Sequence, residues 1–214
     1  MFTGIIEEIG KVERVQPRGS GILLTISGPQ SASELNIDDS ISINGVCQTV
    51  IRKTNSSFEV EAVEETLKKT TFASLRSNDP VNLELPMKLN ERLGGHLVLG
   101  HVDAVGHIAG IEPRHLSWMF TIEVPEDLLR YVVPVGSISV DGVSLTVAEI
   151  RRKNINVSII PHTMENTIFR NYKIDTRVNL EFDIIGKYIE QMLSKGQAKE
   201  KNILSEQHLR ELGY

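Results

Sequence analysis

The sequence predicts an all-β chain in which one small closed barrel is written twice and a helix follows. Three observations lead there. The stretch INGVCQTV around Cys47 returns as VDGVSLTV around Ser144. Short runs rich in Val, Ile and Thr, broken by Gly, Asn and Pro, fill both copies. From Ile184 onward, apolar residues recur at helical spacing.

Superposing Gly45 on Gly142 gives an offset of roughly 97 residues, and the match then runs without a gap for about 45. Thr66, Thr70 and Phe72 fall on Thr163, Thr167 and Phe169, and VNLEL from Val81 falls on VNLEF from Val178. With one residue of slippage, TGIIEEIG from Thr3 matches LGHVDAVG from Leu99, so the boundary falls near Gly94-Gly95-His96. Each copy has the size of a small domain and exceeds solenoid periods, which means that a whole domain is duplicated.

Taken in order, residues 21–26, 40–43, 47–51 and 58–63 read as strands of the first copy. Asn44-Gly45 and Asp141-Gly142 supply the positive-φ residues of tight hairpins. Evenly spaced short strands favour a small closed barrel, because closure removes sheet edges. One or two helical turns are expected over 64–71 and again over 164–171. In the tail, Ile184, Ile185, Tyr188, Ile189, Met192 and Leu193 form one apolar stripe. A helix this short is marginal alone in water, so either its own barrel or a sister helix must cover the stripe. A second short helix is expected over 205–212, with Ser205 as its N-cap.

Of 214 residues, 40% are hydrophobic and 24% charged, an ordinary globular composition. The net charge of -5 argues against nucleic-acid or anionic-membrane partners, and Arg151-Arg152-Lys153 reads as a solvated turn. No apolar run approaches the ~20 residues that span a bilayer, and the start of the chain lacks the pattern of a signal peptide. A single cysteine excludes an internal disulfide and a cysteine-based zinc site, and fits a reducing cytoplasm.

A duplicated barrel offers two similar pockets, yet the copies differ where side chains are reactive. Ile5 is answered by His101, Cys47 by Ser144, Gln48 by Leu145, and Glu64-Glu65 by Pro161-His162. A thiol and a hydroxyl match in size but not in proton chemistry, which suggests one kind of ligand bound twice and treated differently. Plainer roles stand beside this one. Cys47 could be a buried small apolar residue, and Ser144 could bond a neighbouring backbone group. His96 and His101 point to opposite faces of an extended segment and cannot share a metal, so no metal site is expected. Gly94, Gly95 and Gly100 bring backbone close to whatever His101 faces, which favours a ligand.

MFTGIIEEIG, GGHLVLGHVD, NGVCQTV, DGVSLTV and the paired VNLE endings together resemble the alpha-type riboflavin synthases. The resemblance runs to about Lys195, and several motifs in the right order make it specific. It implies two tandem six-stranded Greek-key β-barrels with a C-terminal α-helix, assembled as a homotrimer. The divisions would be 1–96, 97–183 and a trimerising tail at 184–214. It also implies a reaction without cofactor, in which two molecules of 6,7-dimethyl-8-ribityllumazine dismutate. One gives up a four-carbon unit and leaves as 5-amino-6-ribitylamino-uracil, while the other becomes riboflavin. Association with lumazine synthase is a further partner that the resemblance suggests.

The family's binding segments carry over onto Gly4, Ile5, Ile6, Cys47, Gln48, Thr49, Glu61, Ala62, Val63, Glu64, Glu65 and Thr66 in the first half. In the second half they fall on Gly100, His101, Val102, Ser144, Leu145, Thr146, Ser158, Ile159, Ile160, Pro161, His162 and Thr163. His101 with Thr146 and Ser144 is expected to handle protons, and Cys47 or Ser144 to assist at the ring carbon. Phe2 is expected against a ring and Asp183 near the reacting atoms.

Two departures stand out. Gln48 replaces a usual leucine, and an outward-facing side chain would make that change a small one. Val135 stands where many members carry a lysine. The alternative is a lumazine or flavin carrier without catalysis, and the retained His96, His101, Ser144 and Thr146 favour the enzyme.

Overall fold

The computed structural model describes residues 1–200, with side-chain surroundings as far as Ser194. The helix expected over 205–212 lies outside the described residues.

The first copy supplies β1 (Glu8–Arg18), β2 (Gly21–Ser27), β3 (Ser40–Ile43), β4 (Val46–Lys53), β5 (Ser57–Ala62) and β6 (Pro80–Glu84). They close in the order β1-β2-β5-β4-β3-β6, every pair antiparallel. The second copy supplies β7 (Ala104–Pro113), β8 (Trp118–Glu123), β9 (Ser137–Val140), β10 (Val143–Arg151), β11 (Asn154–Ile159) and β12 (Arg177–Phe182), closed in the matching order. Pairing of β2 with β5 across the intervening hairpin makes each barrel a Greek key. Asn44 and Gly45 have φ of 47° and 74°, and Asp141 and Gly142 have 44° and 82°, as the hairpins between β3 and β4 and between β9 and β10 require. Val12, Leu24, Phe58 and Leu83 fill one core, and Ile108, Phe120, Phe169 and Leu180 the other.

Two small differences from expectation concern helices. The turn expected from residue 164 begins earlier, as α3 (Pro161–Asn166), because proline suits a first helical turn, where its missing N–H has no partner to lose. Its twin is α2 (Glu64–Lys69), and α1 (Pro29–Glu34) was not foreseen. Both α2 and α3 run into a 3-10 turn after a threonine, Thr70 or Thr167, whose hydroxyl accepts from the N–H two residues on.

The barrels meet through the two hairpins. A Cβ on Gly45 would fall 2.6 Å from the amide nitrogen of Gly142, and one on Gly142 would fall 2.8 Å from that of Gly45. Either side chain would drive the barrels apart. Asn82 and Asn179, the asparagines of the paired VNLE stretches, bridge the seam reciprocally. Asn82 donates to the Asp141 carbonyl at 2.9 Å and accepts from Ile168 N–H at 2.9 Å. Asn179 donates to the Asn44 carbonyl at 2.8 Å and accepts from Thr71 N–H at 2.8 Å.

One pair at the seam breaks the symmetry. Asp141 accepts from Asn179 N–H and from the Tyr172 hydroxyl, whereas its counterpart Asn44 is neutral. Burial pushes the Asp141 carboxyl up to about 7, and those two hydrogen bonds only partly offset it. A folded-state pKa above the unfolded value means that the native chain holds a proton the unfolded chain has released. The associated stability is complete below about pH 4 and is lost as pH rises through about 7. Chemical denaturation at pH 5 and pH 8 should therefore show stability falling, and Asp141→Asn should remove about 2 kcal/mol of that fall. An unchanged pH slope in the variant would contradict this.

The C-terminal helix α4 (Ile184–Glu200) is tied to the second barrel on its polar side. Lys187 Nζ lies 2.6 Å from Asp103, which also accepts from Phe182 N–H. Of the stripe, Ile184 is half-buried, but Ile185, Tyr188, Ile189, Met192 and Leu193 are all more than half exposed. Their own barrel therefore does not cover them. No helix among the described residues is long and apolar enough to cross a membrane.

Candidate ligand-binding half-sites

Two loops, one from the start of each copy, cross beside the seam. Phe2 and Val98 pair in antiparallel fashion at the crossing, and Phe2 is fully buried, so its ring braces the loops from within. Beyond the crossing each loop leaves its own barrel for the other. Gly100 O accepts from Cys47 N–H at 2.9 Å, and Gly4 O accepts from Ser144 N–H at 2.8 Å. Val102 packs on the first core and Ile6 on the second. The expected grouping of each loop with its own half is thus corrected: the loops are exchanged. Sequence alignment pairs like with like and cannot register a crossing.

Glycine is required at the crossover. Gly4 and Gly100 have φ of 78° and 77°, and a Cβ on either would meet the Ser144 or Cys47 Cβ at 2.5 or 2.6 Å. Two buried carboxylates anchor the loops, and sequence reasoning missed both. Glu84 accepts from Thr3 and Gly4 N–H, and Glu181 from Leu99, Gly100 and His101 N–H. Burial raises both pKa values, that of Glu84 to about 7, against the lowering pull of these N–H donors. Their signal was present as the glutamate that closes VNLE in both copies.

In the first half-site, Cys47, Glu65, Thr66, Lys69, Gly100 and His101 are among the residues around a cavity of about 240 Å³. Cys47 is half-buried, and Glu65 and His101 are exposed. Lys69 adds a cation that the sequence analysis did not single out.

In the second half-site, Ser144 and the exposed Thr146 stand on the outer face of β10, with Ser144 beside Gly4, while on α3 Pro161 and His162 are exposed and Thr163 is half-buried. The trio His101, Ser144 and Thr146 is not assembled within the chain, since His101 stands by Cys47. Instead His96 Nδ1 lies 2.7 Å from Ser144 Oγ. Asp183 accepts from Ile185 N–H, and its charge partly offsets the burial that lowers the His96 pKa.

The remaining positions divide by strand alternation. Cys47, Thr49, Ser144 and Thr146 face outward, whereas Gln48 and Leu145 face the barrel interiors. Ala62 and Ile159 lie in the cores and offer a ligand only backbone. Glu61, Val63, Glu64, Ser158 and Ile160 are exposed. Ile5 is half exposed beside a separate cavity of about 390 Å³, lined in part by Thr3, Glu7, Glu84 and Arg92, which contains neither Ser144 nor Thr146. Val135 is exposed at a φ of 62°, costly for a β-branched residue. Among the described residues no cluster of His, Cys, Asp and Glu could hold a metal ion.

Gln48 needs a correction. Its side chain faces inward and not outward, because it shares the parity of Val46 and Val50 on β4. It is 7% exposed; Nε2 donates to the Cys47 carbonyl at 2.6 Å, while Oε1 is buried without a partner among the described residues. An unsatisfied buried acceptor costs about 1–3 kcal/mol. Gln48→Leu, which copies Leu145, should raise the melting temperature by about 3 °C. A lower melting temperature would mean that the bond to Cys47 outweighs the orphaned oxygen.

Twin barrels whose crossing loops build one backbone cradle twice, beside unlike reactive groups, define a duplicated small-molecule-binding protein. The family model described as "Lumazine binding domain" matches twice, over residues 3–86 and 99–183. The chain belongs to the riboflavin synthase family. It is 45% identical to a riboflavin synthase of Actinobacillus pleuropneumoniae and 39% identical to one of Bacillus subtilis, covering 100% of both chains in each case. A crystal structure of LumP complexed with riboflavin has the same fold, with a TM-score of 0.79 at 22% identity, over 85% of this chain and 99% of that one.

Proposed function

We propose that the protein is a riboflavin synthase, converting two molecules of 6,7-dimethyl-8-ribityllumazine to riboflavin and 5-amino-6-ribitylamino-uracil. The observation that carries this reading is the asymmetry of the half-sites. One backbone cradle is built twice, with Cys47 and His101 in one copy and Ser144 and His96 in the other. A carrier of one chromophore has no use for two such sets, whereas a reaction between two copies of one substrate needs a donor site and an acceptor site.

The transfer balances without an oxidant, because the four carbons lost by one lumazine are those gained by the other. The lumazine ring is its own electron sink: the carbanion formed at the 7-methyl group delocalises into it, so the reading calls for no cofactor. The protein's share is to hold two flat rings face to face, worth about 7–11 kcal/mol of barrier, and to handle protons. We assign Cys47, Thr49, Glu65, Thr66 and His101 to one ligand, and Gly4, Ser144, Thr146, His162 and Thr163 to the other.

Within one chain the two sets belong to different barrels. The active site we propose joins the first barrel of one subunit to the second barrel of its neighbour in a homotrimer, with α4 at the trimer core. The exposed apolar stripe of α4 supports that assembly. In this scheme residues 1–96 and 97–183 are the two lumazine-binding units and 184–214 the assembly tail. We place the enzyme in the cytoplasm, consistent with its single free cysteine, and keep lumazine synthase as a partner to be tested by co-sedimentation.

The test is direct. Purified protein and 6,7-dimethyl-8-ribityllumazine, without added cofactor or metal, should yield riboflavin at half the molar amount of lumazine consumed. Tight binding without turnover would identify a chromophore carrier instead.

A further inference from the structure

The Ser144 hydroxyl has two ways to use its bond to His96, and they lead to different chemistry. A neutral imidazole has one donor nitrogen and one acceptor nitrogen. If Nδ1 accepts the hydroxyl hydrogen, Ser144 presents lone pairs outward, as a nucleophile would. If Nδ1–H donates to Oγ, the hydroxyl hydrogen is free to point outward.

The surroundings of the ring decide between these. His96 is 7% exposed, and its Nε2 is buried with no hydrogen-bond partner among the described residues. The first arrangement would leave an N–H orphaned at Nε2, and the second only a lone pair. Buried orphan donors are the rarer and costlier of the two. Burial also holds the ring below the usual histidine pKa against the pull of Asp183, so a second proton at Nε2 is disfavoured. Ser144 itself is only half-buried, so its hydrogen has somewhere to go. The backbone that carries the ring is held in place: His96 N–H is bonded to Thr3 O at 3.1 Å, and a Cβ on Gly95 would fall 2.2 Å from that oxygen and 2.8 Å from Ser144 Oγ.

We propose that His96 is a positioning residue whose Nδ1–H donates to Ser144 Oγ, fixing Ser144 as a hydrogen-bond donor to a bound lumazine oxygen and not as a nucleophile. This rests on the lumazine reading above. It completes a division of labour, because Cys47, beside the other pocket, carries a thiol, a weak donor and the stronger nucleophile.

Three measurements on the full-length protein test it. Nitrogen-15 spectra of histidine-labelled protein, with His96 assigned through its loss in His96→Asn, should show the Nδ1–H tautomer. Ser144→Cys, a stronger nucleophile but a poor donor, should lose about tenfold or more in both lumazine affinity and kcat/KM. His96→Asn, whose amide takes the Nδ1 position, should stay within about threefold of wild type in kcat, whereas His96→Gln should fall about tenfold. An Nε2–H tautomer, or a Ser144→Cys variant as active as wild type, would overturn the proposal. A wild-type chain that binds lumazine without turnover would sink only the synthase reading. The tautomer and the affinity of Ser144→Cys would then still decide the role of His96.

Discussion

Replacing Gly100 with alanine is expected to lower kcat/KM by at least about 100-fold, because it displaces the loop that carries His101 by the better part of an ångström. The new Cβ would sit 2.6 Å from the Cys47 Cβ and 2.8 Å from the Cys47 nitrogen, backbone that cannot yield without opening β4. The residue also has a φ of 77°, where any side chain adds about 1–2 kcal/mol of strain. Together these should lower the melting temperature by about 5 °C while leaving both barrels formed. Gly19→Ala isolates the steric part. Gly19 shares the positive φ, at 61°, but nothing among the described residues lies within 4 Å of the added atom. Turnover and thermal melts of the two variants should diverge sharply in activity. Equal activity would show that the crossover loop does not position His101.

Ile189→Asp should be the most damaging surface substitution in the described chain. Ile189 is 53% exposed in the middle of the α4 stripe, flanked by Tyr188 and Met192, which are more exposed still. If sister helices cover that stripe, a buried unpaired carboxylate opposes assembly by several kcal/mol. Light scattering should report a monomer, far-ultraviolet circular dichroism an intact β spectrum, and turnover less than about 1% of wild type, since the proposed site spans two subunits. An active monomer would remove both the trimer and the shared site from the account.

The barrel was legible because it is a matter of local chemistry. Asn44-Gly45 and Asp141-Gly142 announced hairpins, and short runs of Val, Ile and Thr marked the strands on either side of them. Alternation along β4, read through Val46, Gln48 and Val50, would have turned Gln48 inward had it been applied. What escaped detection depends on contacts between distant segments. Ser144 and His96 are 48 positions apart, and Glu84 reaches Thr3 across 81. No periodicity encodes such pairs. The exchange of loops escaped for a further reason: two copies of one sequence fit each other's sockets nearly as well as their own, so likeness conceals which copy fills which.

That exchange bears on how the chain matures during synthesis. Gly4 and Ile6 leave the ribosome long before the second barrel exists to receive them. The first barrel, in turn, waits for Gly100 to cover Cys47 N–H and for Val102 to finish its core. The first half is incomplete when its own last strand has emerged, and the second draws on residues made at the very start, so the duplicated halves are expected to fold as one cooperative unit. Hydrogen exchange should accordingly detect a single global opening shared by β4 and β10, where two autonomous domains would show two.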